Sequence, residues 1–324
     1  MAKVLVPGGA GYIGSHVVRA LLGAGHDVVV LDNLSTGFRQ AVHRDARLEV
    51  MDLADRESVA ALLDRERFDA AVHFAASIVV PESVADPLKY YMNNTVNTTA
   101  LIEGLVRTGV EAVIFSSTAA VYGMPAGGVA SEDTPTAPIN PYGRSKLMSE
   151  WVLEDTAAAT ALRYVALRYF NVAGAALDNT IGQRTPAATH LIKVAAQAAL
   201  GRRDSLSIFG TDYDTPDGSG VRDYIHVEDL ARAHVDALTH LLAGGDSKVL
   251  NCGYGHGASV REVLDTMKRV TGVDFPVVEA PRRAGDPPTL IADARRIRDE
   301  LGWTPQQDDL ELICRTAHAW EATL

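Results

Sequence analysis

Short apolar runs alternate along this chain with segments of helical periodicity. Lys3-Val4-Leu5-Val6 predicts a strand; Gly8, Gly11 and Gly14 follow it, and Val17, Val18, Leu21 and Leu22 then recur on one helix face. Further strands are predicted at Val28 to Leu31, Arg47 to Met51, Ala70 to Phe74 and Ala112 to Phe115, with an acid-capped helix from Asp55 to Leu63 and a long helix from about Pro87 to Thr108. Pro141 opens another helix, continued by Leu147, Trp151 and Val152, and Tyr164 to Arg168 is the next strand. Such alternation predicts an α/β fold, a Rossmann-type doubly wound parallel sheet with helices on both faces. Beyond about Ala175 glycine-rich loops mix with helices at Pro186 to Leu200, Val227 to Leu242, Val260 to Thr271 and Leu310 to Trp320. The expected division is a nucleotide-binding domain over residues 1–174, to which 225–251 return, and a smaller C-terminal α/β substrate domain over 175–324.

The chemistry-bearing residues collect where the strands end. Strand, glycine turn and helix together let a pyrophosphate approach the helix N-terminus, where free N–H groups and the helix dipole favour an anion. The next strand ends on Asp32, 18 residues after Gly14. A carboxylate there accepts hydrogen bonds from the adenosine ribose and repels a 2′-phosphate, which favours NAD over NADP. Asp52-Leu53, Phe74-Ala75-Ala76 and Ser116-Ser117-Thr118 each follow a strand, so they are expected to line the same crevice, and Tyr169-Phe170-Asn171 ends a later one. Tyr142 and Lys146 lie one helical turn apart on one face. A phenol serves as a base near neutral pH only if its pKa falls from about 10 toward 7, a preference of roughly 4 kcal/mol for the phenolate. An ammonium about 5 Å away supplies about 3 kcal/mol at an effective dielectric of 20, so a second positive charge is needed, and the nicotinamide ring of NAD+ carries one.

Composition narrows the partners. The 324 residues are 47% hydrophobic and 22% charged, with a formal net charge of -11, which argues against nonspecific nucleic-acid binding and toward a small-molecule substrate. No run approaches bilayer-spanning length and no signal h-region is evident, so a cytoplasmic protein away from membranes is expected. Cys252 and Cys314 are far apart in sequence and read as core residues, and the ten histidines show no metal-binding spacing, so no metal is expected. Against the acidic total, Arg202, Arg203, Arg222, Arg282 and Arg283 stand out, with Arg222 and Arg283 the better placed to grip phosphate oxygens.

Taken in order, Gly8-Gly9-Ala10-Gly11-Tyr12-Ile13-Gly14-Ser15-His16, Leu31-Asp32-Asn33, His73-Phe74-Ala75, Ser116-Ser117-Thr118, Tyr142-Gly143-Arg144-Ser145-Lys146-Leu147, Tyr169-Phe170-Asn171, Gly220 to Val227 and Ala280 to Asp286 resemble the UDP-glucose 4-epimerases of the extended short-chain dehydrogenase/reductase group. The resemblance spans nearly the whole chain. It implies a tightly held NAD, contacted by Gly8, Gly11, Tyr12, Ile13, Gly14, Asp32, Asn33, Asp52, Leu53, Phe74, Ala75, Ala76, Asn93, Ser116, Tyr142, Lys146 and Tyr169. It implies Tyr142 as the base on the sugar 4-hydroxyl, Lys146 lowering its pKa, and Thr118 bonding the 4-oxygen. UDP-sugar contacts are implied at Asn171, His190, Leu191, Arg222 and Arg283, with Phe209 on the uracil side, Asp286 on the uridine ribose and Leu290 bordering the C2 substituent. The reaction implied is C4 epimerisation through a transient 4-keto sugar, in a homodimer paired through the Pro87 to Thr108 and Tyr142 to Thr160 helices.

Three positions depart from the family pattern: Pro7 replaces a threonine of the glycine turn, Ile78 a lysine that pairs with a cofactor phosphate, and His190 an asparagine near the substrate. The competing readings are a UDP-pentose 4-epimerase, a catalytically silent NAD-binding protein and a sugar-nucleotide 4,6-dehydratase. The last needs Asp-Glu directly after the threonine, where this chain has Ala119 and Ala120, and methyl groups move no protons.

Overall fold

Strands form where apolar residues run without a break, because a parallel sheet covered by helices is buried on both faces. Lys3–Pro7, Asp27–Asp32, Ala70–His73, Ala112–Ser116, Arg163–Tyr169 and Lys248–Cys252 are largely buried, whereas the edge strand Arg47–Val50 alternates polar and apolar residues and is not; all seven join in one sheet. The structure, a computed structural model, describes every residue except 186–188 and 284. From one edge to the other the strands begin at Lys248, Arg163, Ala112, Ala70, Lys3, Asp27 and Arg47, and every neighbouring pair is parallel. Chain order reverses between the Lys3–Pro7 and Ala70–His73 strands, and this opens a crevice at their carboxyl ends.

Residues alternate between the two faces with the period of two that strands impose. Val4, Val6, Val28, Val30, Val72 and Ile114 pack with Val17, Leu21 and Leu230 of the Tyr12–Gly23 and Val227–Leu242 helices. Their neighbours Leu5, Val29, Leu31, Ala71, Val113 and Phe115 pack with Leu62, Leu63, Leu101, Leu105 and Leu153 of the Arg56–Glu66, Asn97–Arg107 and Pro141–Ala159 helices. Each fully buried leucine contributes about 1.5–3 kcal/mol, so both layers are held firmly to the strands that carry the site. Cys252 and Cys314 are buried free thiols.

The predicted helix from about Pro87 to Thr108 differs in detail: Pro87–Tyr90 passes into a π-helical turn at Tyr91–Val96 before Asn97–Arg107 resumes as α-helix. The wider turn seats Asn94 inward, where its amide bonds Ser77 through the backbone N (2.7 Å) and O (2.9 Å) and reaches Ser145 Oγ (3.0 Å). A short Val80–Ala85 helix precedes it, unforeseen because its exposed valines give no amphipathic stripe. Farther on, the helix expected from Pro186 is Leu191–Ala199, and residues 186–188 lie outside the described residues, as does Ala284 of the Ala280 to Asp286 motif.

Small sheets build the rest. Ala258–Ser259, Val221–Arg222, Thr289–Ala292 and Val129–Ala130 form one of four strands, while Asn171–Ala173 pairs in parallel with Tyr224–His226, and Leu206–Phe209 with Val277–Ala280. These small sheets carry Asn171, Phe209, Arg222 and Leu290. Among the described residues no helix is long and apolar enough to cross a membrane.

Candidate active site

The glycine turn leaves donors free for an anion. Ser15 N is the first amide of the Tyr12–Gly23 helix to bond a carbonyl, that of Gly11 at 3.0 Å, so the N–H groups of Tyr12, Ile13 and Gly14 point out of the helix end. Gly8 has φ +81°, and a Cβ there would lie 2.5 Å from Ala75 N; one on Gly14 would lie 2.3 Å from Gly8 O. The turn is therefore pressed against the Phe74-Ala75 strand end, which leaves its outer side for a ligand. Asp32 closes the next corner, Oδ2 accepting from Ala10 N (3.0 Å) and Oδ1 from Leu34 N (2.8 Å), and burial raises its pKa. Beside it Asn33 Nδ2 donates to Asp52 Oδ2 at 2.7 Å. Free amides, a carboxylate at the end of the second strand and a glycine cradle are the groups that a dinucleotide requires, so the residues present fit NAD.

Across the crevice, the Pro141–Ala159 helix starts cleanly because Asn140 Oδ1 accepts from Gly143 N (2.9 Å) and Pro141 occupies the first turn. Its first two turns present Tyr142 and Lys146, both buried. Lys146 Nζ donates to Ser116 O (2.8 Å) and lies 4.8 Å from the centre of the Phe115 ring. Burial pushes the ammonium down to about 7, with Glu150 pulling it back up. Burial also pushes the Tyr142 phenol upward, and the Thr118 hydroxyl opposes that. Thr118 Oγ1 accepts from Ala120 N at 3.2 Å, while Ser116 Oγ and the Tyr169 hydroxyl are hydrogen-bonded to each other. Asn93 Nδ2 donates to Ser77 Oγ at 3.0 Å.

The remaining named residues fall into two groups. Asn171, His190 and Leu191 line one cavity together with Gln183, Lys193, Tyr224 and Trp320. Its floor holds a buried Lys193–Glu321 pair at 2.5 Å, and Gln183 Nε2 sits 2.8 Å from His190 Nδ1. Desolvation of its ring and the nearby Lys193 lower the pKa of His190, although the residue is exposed at the surface; with Nδ1 accepting from the Gln183 amide, Nε2–H is left as a donor. In the second group, the Arg283 guanidinium lies 3.7 Å from the centre of the Phe209 ring, and Arg222 Nη2 is 3.7 Å from Asp286 Oδ1. Leu290 stands in parallel register with Arg222. Arg202, Arg203 and Arg282 are instead tied to Glu321, Gln197 and Asp212.

Sequence reasoning missed Gln183, Tyr224 and Arg184. Arg184 stacks 4.9 Å over Phe38 and lines a cleft with Ala10, Gly11, Tyr12 and Thr36, while Ile78, where the family lysine is replaced, is exposed. In the sequence Arg184 is a lone arginine in a loop, with no local signal that would draw attention to it. Replacing Gly14 by Ala forces the backbone of the turn to move, so Gly14→Ala should lower the melting temperature and strip bound dinucleotide. The absorbance ratio of purified protein at the nucleotide and protein maxima, beside a thermal melt, checks this; full retention with an unchanged melt would show that the turn yields.

Comparison with known proteins agrees with this geometry. Residues 4–253 match the sequence model described as NAD dependent epimerase/dehydratase family. The UDP-glucose 4-epimerase of Azospirillum brasilense is 57% identical over 322 residues, covering 99% of this chain and 92% of that one. A UDP-Glc/GlcNAc 4-epimerase from Campylobacter jejuni has a solved structure that is 57% identical and superimposes over 100% of both chains with a TM-score of 0.89. The Brucella ovis UDP-glucose 4-epimerase, solved in complex with NAD, is 47% identical over 98% of each chain, with a TM-score of 0.95. A glycine turn with free amides, Asp32 and the buried Tyr142–Lys146 pair thus stand in a chain that belongs to the NAD dependent epimerase/dehydratase family.

Proposed function

We propose that this protein is an NAD-dependent epimerase that inverts C4 of a UDP-sugar, UDP-glucose and UDP-galactose in the first place. The observation that carries the reading is the burial of Tyr142 and Lys146 on one helix face against the strand end Ser116 to Thr118. The free amides of Tyr12 to Gly14 hold the dinucleotide pyrophosphate, and Asp32 with Asn33 holds the adenosine ribose. When bound, the dinucleotide accepts hydride from C4 and returns it, and its oxidised ring carries a positive charge. Tyr142 removes the proton from the 4-hydroxyl as C4 becomes a ketone and gives it back afterward, while Thr118 donates to the 4-oxygen. The chain's own groups leave the phenol above its usual range, so Tyr142 becomes a competent base only once a cationic ring joins Lys146. Arg222 and Arg283 bind diphosphate, Phe209 and Asp286 bind uridine, and Asn171 with His190 Nε2–H orients the sugar.

Ala119 is buried and Ala120 half-buried beside Thr118, which leaves no acid or base there for elimination of water. Purified protein should interconvert UDP-glucose and UDP-galactose without added nucleotide, since the hydride returns to the molecule it left. Tyr142→Phe keeps the ring and removes the proton acceptor; turnover should fall at least about a hundredfold with NAD still bound. Wild-type protein that needs added NAD at every turnover, or a Phe variant of normal rate, would contradict the reading.

Substrate breadth rests on Leu290, smaller than the tyrosine that excludes N-acetylated sugars in the resembling family. The name of the Campylobacter jejuni relative covers both UDP-Glc and UDP-GlcNAc, which supports an open wall. UDP-N-acetylglucosamine should therefore be turned over weakly beside strong activity on UDP-glucose, a single apolar contact being worth about 1–3 kcal/mol of discrimination. Leu290→Tyr should abolish the weaker activity and spare the stronger; an unchanged ratio of the two rates means that Leu290 is not the gate.

We assign the protein to the cytosol, a reducing compartment compatible with its two free thiols, and to a homodimer. Val84, Leu88, Met92 and Trp151 are all at least half exposed on adjacent helices, and a self-complementary patch of that kind suits isologous pairing. Sedimentation at micromolar concentration should show a dimer for the wild type and a monomer for Leu88→Glu with Trp151→Glu. A monomeric wild type would rule the assignment out.

A further inference from the structure

Ser117 takes no part in the chemistry above, yet it is fully buried, in the middle of the strand end that carries the site. Successive residues of extended backbone face opposite ways. The carbonyl of Ser116 accepts from Lys146 Nζ (2.8 Å), and the Thr118 hydroxyl acts on the Tyr142 phenol. Between them, the Ser117 hydroxyl donates to Glu150 Oε1, and Ser117 N donates to Leu167 O at 2.9 Å. Glu150 lies one turn beyond Lys146 on the same helix face and is itself buried. Arg168 holds its carboxylate with three contacts, Nε at 3.0 and 3.2 Å and Nη2 at 2.6 Å. The chain of bonds continues from Arg168 Nη1 to the Tyr122 hydroxyl (3.0 Å), from that hydroxyl to Asn251 Oδ1 (2.6 Å), and from Asn251 Nδ2 to Ala130 O (2.8 Å).

A buried ion pair adds little net stability compared with well-packed apolar residues. What this one fixes is geometry: the helix bearing Tyr142 and Lys146, the strand end bearing Ser116 and Thr118, and the Arg163–Tyr169 strand share a single carboxylate. A displacement of about 1 Å between reacting groups costs roughly a hundredfold in rate. We propose that Ser117 and Glu150 are positioning residues for the epimerisation, the Ser117–Glu150 hydrogen bond holding the Ser116 carbonyl and the Thr118 hydroxyl in place against Lys146 and Tyr142. The proposal rests on the assignment of Tyr142 and Lys146 made above.

Ser117→Ala in the NAD-loaded protein is the test, because it removes one hydroxyl, leaves the Glu150–Arg168 pair intact and opens almost no space. We expect kcat to fall about tenfold while KM and the dinucleotide content keep their wild-type values and the melting temperature drops by only a few degrees. In a Lys146→Met background the same change should cost less than in the wild type, since the part of its effect that runs through the Ser116 carbonyl is already lost while the part that runs through Thr118 and Tyr142 remains. Wild-type kcat in Ser117→Ala overturns the proposal, and so does a fall in kcat matched by loss of dinucleotide and a larger drop in melting temperature, which marks a merely structural role. Equal losses in both backgrounds overturn it as well. Failure of the underlying assignment shows separately, as normal turnover in Tyr142→Phe.

Discussion

Burial is the constraint on which this site depends. Inside a dry crevice a phenol resists losing its proton and an amine resists holding one, and the structure shows both tendencies at Tyr142 and Lys146. In the same surroundings a charge that does arrive acts at full strength, since an ion pair is worth several times more there than in water. On the proposed assignment of Tyr142, the free protein thus holds its base in reserve. Water exclusion, which lowers the pKa of Lys146 to about 7, also keeps a half-oxidised sugar away from solvent.

Much of this was legible because its causes are local. Gly8 and Gly14 sit where an added Cβ would collide with backbone, Asp32 ends an apolar run, and Asn140-Pro141 caps a helix, so the dinucleotide crevice could be drawn from spacing. The Val227–Leu242 helix and the return of residues near Val249 to the sheet were legible for the same reason, clean periodicity. The π-helical turn at Tyr91–Val96 was not, since an extra residue in a turn leaves the apolar spacing on either side almost unchanged. Nor were Gln183, Tyr224 and Arg184. Each becomes meaningful through partners that local spacing does not reveal: Arg184 stacks over Phe38 from a loop, which carries no periodicity, and Tyr224 stands in a three-residue strand too short to show one.

The substitutions that set this chain apart from the family pattern are absorbed by chemistry of similar kind. His190, held by Gln183 at 2.8 Å, retains a hydrogen-bond donor where an asparagine amide would offer one. Pro7 ends the first strand in register with Leu31, and its carbonyl accepts from Phe74 N (2.8 Å) and Ala75 N (3.0 Å), so the side chain lost there costs the turn no backbone bond. Ile78 alone has no such substitute at its own position.

The strand Lys248–Cys252 forms the sheet edge beside Arg163–Tyr169, yet it is the last of the seven to leave the ribosome. Domains assemble from the N-terminus as they are synthesised. Until that final strand emerges, Arg163–Tyr169 is an unprotected edge of buried apolar residues, open to pairing with other chains. Arg168 meanwhile lacks the end of its hydrogen-bond chain, because Asn251 sits on the missing strand. A nascent chain therefore carries Tyr142 and Lys146 long before it can complete the bond network behind them.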